Sequence, residues 1–269
     1  MQQDGSIKEI LIEHTTEALK PFIETMDFTV STHCWCGGTL ERWSSEFELY
    51  LQCTSCGCKS VRFRPAVESL TRFYSSSYWY EYQQVHKCPT IEERYEGDML
   101  DRIPHYINWI RGLRPPPCSV LEIGCGNGRL LFELKQAGYQ CTGVEMDESL
   151  AALVTDKTGI QVHHGSFPPE AGPNYDLIAV IDVLEHAPGQ IDFVQNVKSR
   201  LSTSGKALVH CPVLDTLEAS IQFRHMYNPL SHLWIHNSGS FVKLWQGVGL
   251  SAVKIGELFN MPVYAINKT

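Results

Sequence analysis

Ser119-Val120-Leu121-Glu122-Ile123-Gly124-Cys125-Gly126-Asn127-Gly128 is an apolar run that takes in one acid and ends in three alternate glycines. The apolar positions predict a strand buried on both faces. Alternate glycines let the backbone turn tightly and approach a ligand with no Cβ in the way. Arg129 to Gln136 then carries the spacing of an amphipathic helix, whose N-terminal amides point back at the same place. A small polar ligand is expected at the end of this strand.

Strands and helices alternate outward from that point. Strands are predicted near 119–123, 141–145, 160–163, 176–181 and 206–211, with helices near 129–137, 148–157 and 189–201. Such alternation implies a parallel sheet covered on both faces. A helix near 238–247 and closing strands near 251–257 and 262–267 complete the expectation: an α/β, doubly wound, mostly parallel seven-stranded sheet over residues 115–269, entered through Pro115-Pro116-Pro117.

Three segments precede it. Residues 1–28 show helical spacing at Ile7, Ile10, Leu11, Leu19, Phe22 and Ile23, divided by Pro21. Residues 29–66 carry cysteine pairs around two short alternating segments, Phe47 to Gln52 and Val61 to Phe63, which read as a small β unit. Residues 67–114 are rich in Tyr, Trp and Arg and read as a helical connector or lid, its last helix Asp98 to Arg111.

Composition narrows the class. The 269 residues are 43% hydrophobic and 19% charged, an ordinary balance for a folded protein. A formal net charge of -8 with no Lys/Arg cluster argues against gripping phosphate backbones, so nucleic acid is disfavoured as a partner. The first residues lack the basic start and apolar run of a signal peptide, and no window reaches membrane-spanning length, so a cytoplasmic protein is expected. Thiols stay reduced there, and ten cysteines need another explanation than disulfides.

Cys34-Trp35-Cys36-Gly37-Gly38 and Cys53-Thr54-Ser55-Cys56-Gly57 supply one: two knuckles separated by enough chain for a hairpin, the arrangement of a zinc ribbon. Cys34, Cys36, Cys53 and Cys56 are the expected ligands of a structural zinc, with His33 and Cys58 as alternates, because the usual CxxCG spacing would begin at His33. A ribbon here could cover one side of a ligand cleft or bind a carrier or partner protein.

The glycines fall as GxGxG, not as the GxGxxG of dinucleotide sites, and Glu122 would repel a pyrophosphate. A cationic ligand suits it better. Glu145 closes the next strand, where a carboxylate can accept both hydroxyls of a ribose.

From about Ser119 onward the chain resembles class I S-adenosylmethionine-dependent methyltransferases. The likeness rests on Leu121 to Gly128, on Glu145, on the turn Gly165-Ser166-Phe167 and on the run from Tyr175 to His186. It implies a cofactor site of Glu122, Gly124, Cys125, Gly126, Gly128, Glu145, Met146, Ser166, Phe167 and Asp182. The first loop would hold the methionine part, Glu145 the ribose and the third turn the adenine. Ser166 stands where the family usually has Asp, which shifts adenine recognition to backbone amides and Phe167.

Asp182-Val183-Leu184-Glu185-His186 begins at the end of the fourth strand. His186 reads as a general base oriented by Glu185, or both residues cap the following loop and shape the cofactor pocket. Ubiquinone-pathway O-methyltransferases and small-RNA 3′-terminal 2′-O-methyltransferases carry ExxEH here and a later histidine, and this chain resembles them with Asp182 in place of the first Glu. That likeness implies a second metal, Mg²⁺ or Zn²⁺, on Asp182, Glu185 and His186 with His232 or His236. The stretch with His225, Tyr227, His232 and Trp234 reads as acceptor pocket or as packed lid. The expected function is methyl transfer from S-adenosylmethionine to a small-molecule acceptor, at oxygen, in secondary-metabolite, sugar or quinone-type biosynthesis. The alternatives are an RNA ribose 2′-O-methyltransferase and a non-catalytic cofactor-binding domain whose ribbon recruits a partner.

Overall fold

A computed structural model describes residues 2–167 and 173–268. The chain folds as two compact units: Met1–Cys88 with Glu185–Gly189 and Pro212–Phe241, and Pro89–Leu184 with Gln190–Cys211 and Val242–Thr269.

The second unit holds the seven-stranded sheet. Its strands are β1 (Ser119–Ile123), β2 (Gln140–Glu145), β3 (Gln161–His164), β4 (Tyr175–Ile181), β5 (Leu201–His210), β6 (Leu250–Leu258) and β7 (Met261–Lys268). Their order is β6-β7-β5-β4-β1-β2-β3. The first five are parallel, while β7 runs antiparallel to β5 and β6 antiparallel to β7. The strand order reverses beside β1, where open α/β sheets form their ligand crevice. Register places Glu122 of β1 between Gly143 of β2 and Ala179 of β4. Gly143 leaves the space this packing needs, since a Cβ there would lie 2.8 Å from the Cys125 sulfur.

The apolar run of β1 is fully buried at Val120 and Leu121, as its composition predicted. The helix expected at Asp98 to Arg111 is instead two, Ile91–Asp101 and Ile103–Leu113. Pro104 has no N–H to continue the first helix, so the chain restarts around Arg102. Thr90 and Glu93 cap the first helix reciprocally, at 3.2 and 2.8 Å. Ile103, Tyr106 and Ile110 recur at helical spacing and share a core with Val120, Leu177 and Leu208.

The first unit contains the cysteine knuckles and a small sheet. Leu40–Arg42, Tyr50–Cys53 and Lys59–Val61 form an antiparallel sheet, whose other edge is Trp234–Ile235 from the distant segment of the unit. Phe28–Val30 pairs separately with Phe63–Pro65. The strand expected from Phe47 begins only at Tyr50, because the Ser44 hydroxyl accepts from the Glu46 amide and caps a short turn over Ser45–Phe47. Phe73–Tyr82 is a π-helical segment whose aromatic rings join Phe22 in the unit's core.

Candidate functional site

In the second unit, Gly124, Gly126 and Gly128 all have positive φ, at 66°, 52° and 73°. L-residues rarely adopt this backbone, which is the physical reason for glycine at each position. A Cβ on Gly124 would lie 2.7 Å from the Val183 side chain, and one on Gly128 would lie 2.3 Å from Val154. The Gly124 and Cys125 amides donate to the Val144 carbonyl at 2.8 and 3.1 Å, which seats the loop over the end of β2.

Two acids flank this loop. Glu122 is buried, and its Oε2 has no hydrogen-bond partner among the described residues. Burial pushes its carboxyl up to about 8, with Glu145 reinforcing the shift and Arg102 opposing it. Glu145 accepts from the Gly126 amide at 2.9 Å on Oε2, and from the Met146 and Asp147 amides at 2.9 and 3.1 Å on Oε1. Met146 therefore belongs to this corner through its backbone. The Gly165 amide donates to the Glu145 carbonyl at 2.8 Å, which brings the turn after β3 to the same corner. Phe167 there packs against Phe193 at 5.8 Å, while Ser166 is exposed.

Asp182, directly after β4, has a left-handed backbone at φ 53°. Its Oδ2 receives Arg102 at 2.8 Å, and its Oδ1 lies 3.7 Å from His210 Nδ1, itself 2.7 Å from the Tyr106 hydroxyl. Arg102 also pairs with Asp98 at 3.4 Å. Arg102, Tyr106 and His210 complete this charged corner, and no motif in the sequence announced them. The only available signal was a cationic residue at a helix break.

In the first unit, the Cys34 and Cys56 sulfurs lie 3.6 Å apart and those of Cys36 and Cys53 3.5 Å apart. All four lie within 4.8 Å of one another. A tetrahedral ion with sulfur ligands at about 2.3 Å requires sulfurs about 3.8 Å apart. Gly37 and Gly57 make the tight turns, at φ 81° and 73°. The Cys34 sulfur and burial push the Cys56 thiol up, while, against the effect of burial, hydrogen bonds from the Cys56 and Ser55 amides and from Cys36 bring the Cys53 thiol down to about 7. His33 hydrogen-bonds its neighbour Thr32, while the buried Cys58 sulfur faces the Ile235 carbonyl and His236; neither joins the cluster.

Glu185, His186 and His232 also gather in the first unit, with ligand atoms within 4.8 Å of one another. His186 Nδ1 lies 2.8 Å from the Ser231 carbonyl and His232 Nδ1 lies 2.7 Å from the Met226 carbonyl. A carbonyl only accepts, so each imidazole donates from Nδ1, which in the neutral ring leaves the lone pair on Nε2. Metal-binding histidines are oriented in this way by their surroundings. The Tyr74 hydroxyl, 3.0 Å from His186 Nδ1, is a further neighbour that sequence reasoning missed. Asp182 and His236 lie outside this set. Asp182 is engaged with Arg102, and His236 is fully buried with its Nδ1 3.1 Å from the Ser240 hydroxyl. Trp234 is core, beneath the Arg64 guanidinium at 4.5 Å. The Tyr227 ring packs on Phe47 at 4.2 Å.

The sheet order, with a glycine loop and paired acids at the switch point, defines a class I S-adenosylmethionine-dependent methyltransferase fold. The family described as "Methyltransferase domain" matches residues 93–255, more than half of the chain, and the chain belongs to that family. A ubiquinone biosynthesis O-methyltransferase of Stutzerimonas stutzeri is 27% identical over 112 residues, 38% of this chain and 48% of that protein. A tRNA U34 carboxymethyltransferase of Pseudoalteromonas translucida is 26% identical over 165 residues, 58% of this chain and 50% of that protein. The chain thus spans about half the length of the curated relatives it matches. Magnesium protoporphyrin IX methyltransferase of Synechocystis, solved with bound SAH, superposes with a TM-score of 0.58 at 15% identity, covering 76% of this chain and all of that one. An amino pentose methyltransferase of Micromonospora echinaspora, solved with S-adenosylmethionine, gives 0.51 at 12% identity, covering 71% and 96%. No helix among the described residues is long and apolar enough to cross a membrane.

Proposed function

We propose that this protein transfers a methyl group from S-adenosylmethionine to an oxygen of a small-molecule acceptor. The observation that carries the reading is Glu122: a buried carboxyl with an orphaned oxygen, beside a loop of three left-handed glycines. A cationic ligand relieves that cost, and a pyrophosphate would add to it. Bound S-adenosylmethionine supplies a methyl group already activated on its sulfonium. The residues then have to hold the donor, align the acceptor and take its proton. Glu122, Glu145 and the glycine loop are assigned to the donor, with Phe167 at the adenine end.

Glu185 and His186, which follow β4 closely in the chain, are assigned to the acceptor together with His232. Two imidazoles with fixed tautomers and one carboxylate suit a borderline divalent ion such as Zn²⁺. An ion held there would acidify an acceptor hydroxyl. Without an ion, His186 is the general base. Cys34, Cys36, Cys53 and Cys56 are assigned a structural zinc. The ubiquinone O-methyltransferases among the relatives support an oxygen acceptor, and the net charge of -8 weighs against RNA.

The test is calorimetry with S-adenosylmethionine and S-adenosylhomocysteine, followed by turnover on a panel of phenols, sugars and carboxylates. Failure to bind either cofactor form would overturn the reading. Binding without turnover on any acceptor would favour the non-catalytic alternative.

A further inference from the structure

The chain Ser231–Ile235 is held along both edges, and its two sets of partners are of different kinds. On one edge, the Leu233 amide donates to the Glu185 carbonyl at 2.8 Å, the His186 Nδ1 to the Ser231 carbonyl at 2.8 Å, and the Trp234 indole to the Ala187 carbonyl at 3.0 Å. These bonds bring Glu185, His186 and His232 together. On the other edge the partner is the ribbon. The Tyr50 hydroxyl donates to the His232 carbonyl at 2.7 Å, the Val61 amide donates to the Leu233 carbonyl at 3.1 Å, and Trp234 and Ile235 pair with Ser60 and Lys59.

The ribbon edge leads straight to the cysteines. Tyr50 opens the strand that ends at Cys53, and Lys59 opens the next. Between them the Cys53 amide donates to the Cys58 carbonyl at 2.8 Å and the Gly57 amide to the Cys53 carbonyl at 2.9 Å. Beyond Ile235 the chain returns to the knuckle, where the Asn237 amide nitrogen donates to the Cys56 carbonyl at 3.1 Å. An ion on the four sulfurs would fix the register of this hairpin, and the hairpin in turn fixes the height of His232.

We infer that the cysteine ribbon positions the Glu185–His186–His232 set, with Tyr50 and Asn237 as the side chains that transmit it. The inference rests on the proposed role of that set, and gives the ribbon a task within the acceptor site beyond stability. Tyr50 is a positioning residue: its hydroxyl bonds the backbone of His232, not a reacting atom. It is 2% exposed and walled by the Tyr227 ring at 4.9 Å, so water does not replace it easily. Partners bonded directly to a ligating side chain change metal affinity by about 10- to 100-fold when removed, and Tyr50 acts one step further out, through the His232 backbone.

Two variants leave all proposed ligands in place. Tyr50→Phe removes one hydroxyl. Asn237→Asp removes the donor to Cys56 but keeps the Oδ1 that accepts the Ser240 amide at 2.7 Å. Each protein is loaded with Co²⁺, whose thiolate charge-transfer absorption reports an intact knuckle. The readouts are the second Co²⁺ affinity, hydrogen exchange of the Leu233 amide, and the ¹⁵N shifts of His186 and His232. With the knuckle full, both variants should speed Leu233 exchange and weaken the second ion by about tenfold or more, and should admit the other His232 tautomer. Unchanged exchange and tautomers in both variants would overturn the inference. A wild-type protein that takes only one Co²⁺ would refute the divalent reading of the Glu185 set, and exchange and tautomers would still decide the role of the ribbon.

Discussion

Glu145 and Gly126 are joined by a 2.9 Å hydrogen bond from backbone amide to carboxylate, which ties the end of β2 to the glycine loop after β1. The same carboxylate takes the Met146 and Asp147 amides, so it is a structural acceptor as well as a ribose candidate. Glu145→Ala should therefore do two things. It should leave donor groups without acceptors, at a cost of about 1–3 kcal/mol for each one that stays buried, read as a lower melting temperature. It should also weaken S-adenosylhomocysteine binding by about tenfold or more, read by calorimetry.

Glu122 gives a pH signature. Its folded-state value of about 8 stands above the ordinary 4.5. The unfolded chain therefore loses this proton first, and the group's contribution to stability falls as pH rises from about 4.5 to 8. Glu122→Gln should melt higher than the wild type near pH 8 in the absence of cofactor. Association with cationic S-adenosylmethionine favours the ionised form, so affinity should rise up to about pH 8, with proton release measurable as buffer-dependent binding heats. A flat pH profile would remove Glu122 from the donor site.

The knuckle assignment is tested by zinc content. By mass spectrometry, Cys53→Ser should hold one zinc per chain fewer than the wild type, while Cys58→Ser and His33→Ala should keep the wild-type zinc content. The two retained cases follow from sulfur and imidazole atoms that lie outside the four-cysteine cluster.

Glu185→Ala should abolish methyl transfer while leaving S-adenosylhomocysteine affinity within about threefold, since Glu185 is assigned to the acceptor. Rigorous chelation should reproduce the loss if an ion takes part. Full activity after metal removal would assign His186 as an unassisted base. The His232→Ala variant should follow Glu185→Ala, and Asp182→Asn should instead affect the donor side, where Arg102 and His210 hold that aspartate.

The sequence showed the sheet well, for a local reason. β1, β2 and β4 are short apolar runs that end in an acid or a glycine, and each ending is a chemical statement within a few residues. The cysteine spacing was legible in the same way. What stayed hidden depended on partners far along the chain. Trp234–Ile235 carries no strand signal of its own and becomes a strand only by pairing with Lys59 and Ser60. Asp182 looked like a ligand from the DxxEH spacing, but Arg102, eighty positions earlier, claims its carboxylate. His236 looked as eligible as His232, but only His232 gathers with Glu185 and His186; His236 is buried outside that set, burial pushes it down to about 3, and its Nδ1 lies 3.1 Å from the Ser240 hydroxyl.

The strand that Trp234 and Ile235 lend to the ribbon has a consequence for inheritance. Residues 40–61 and 234–235 complete one sheet, though well over a hundred positions separate them in the chain. A recombination event that exchanged only the leading segment would leave an unpaired edge and uncover an indole that is now 1% exposed. The two pieces can travel between genes only together. In chimeras with other methyltransferases, a graft of both should fold where a graft of either one aggregates.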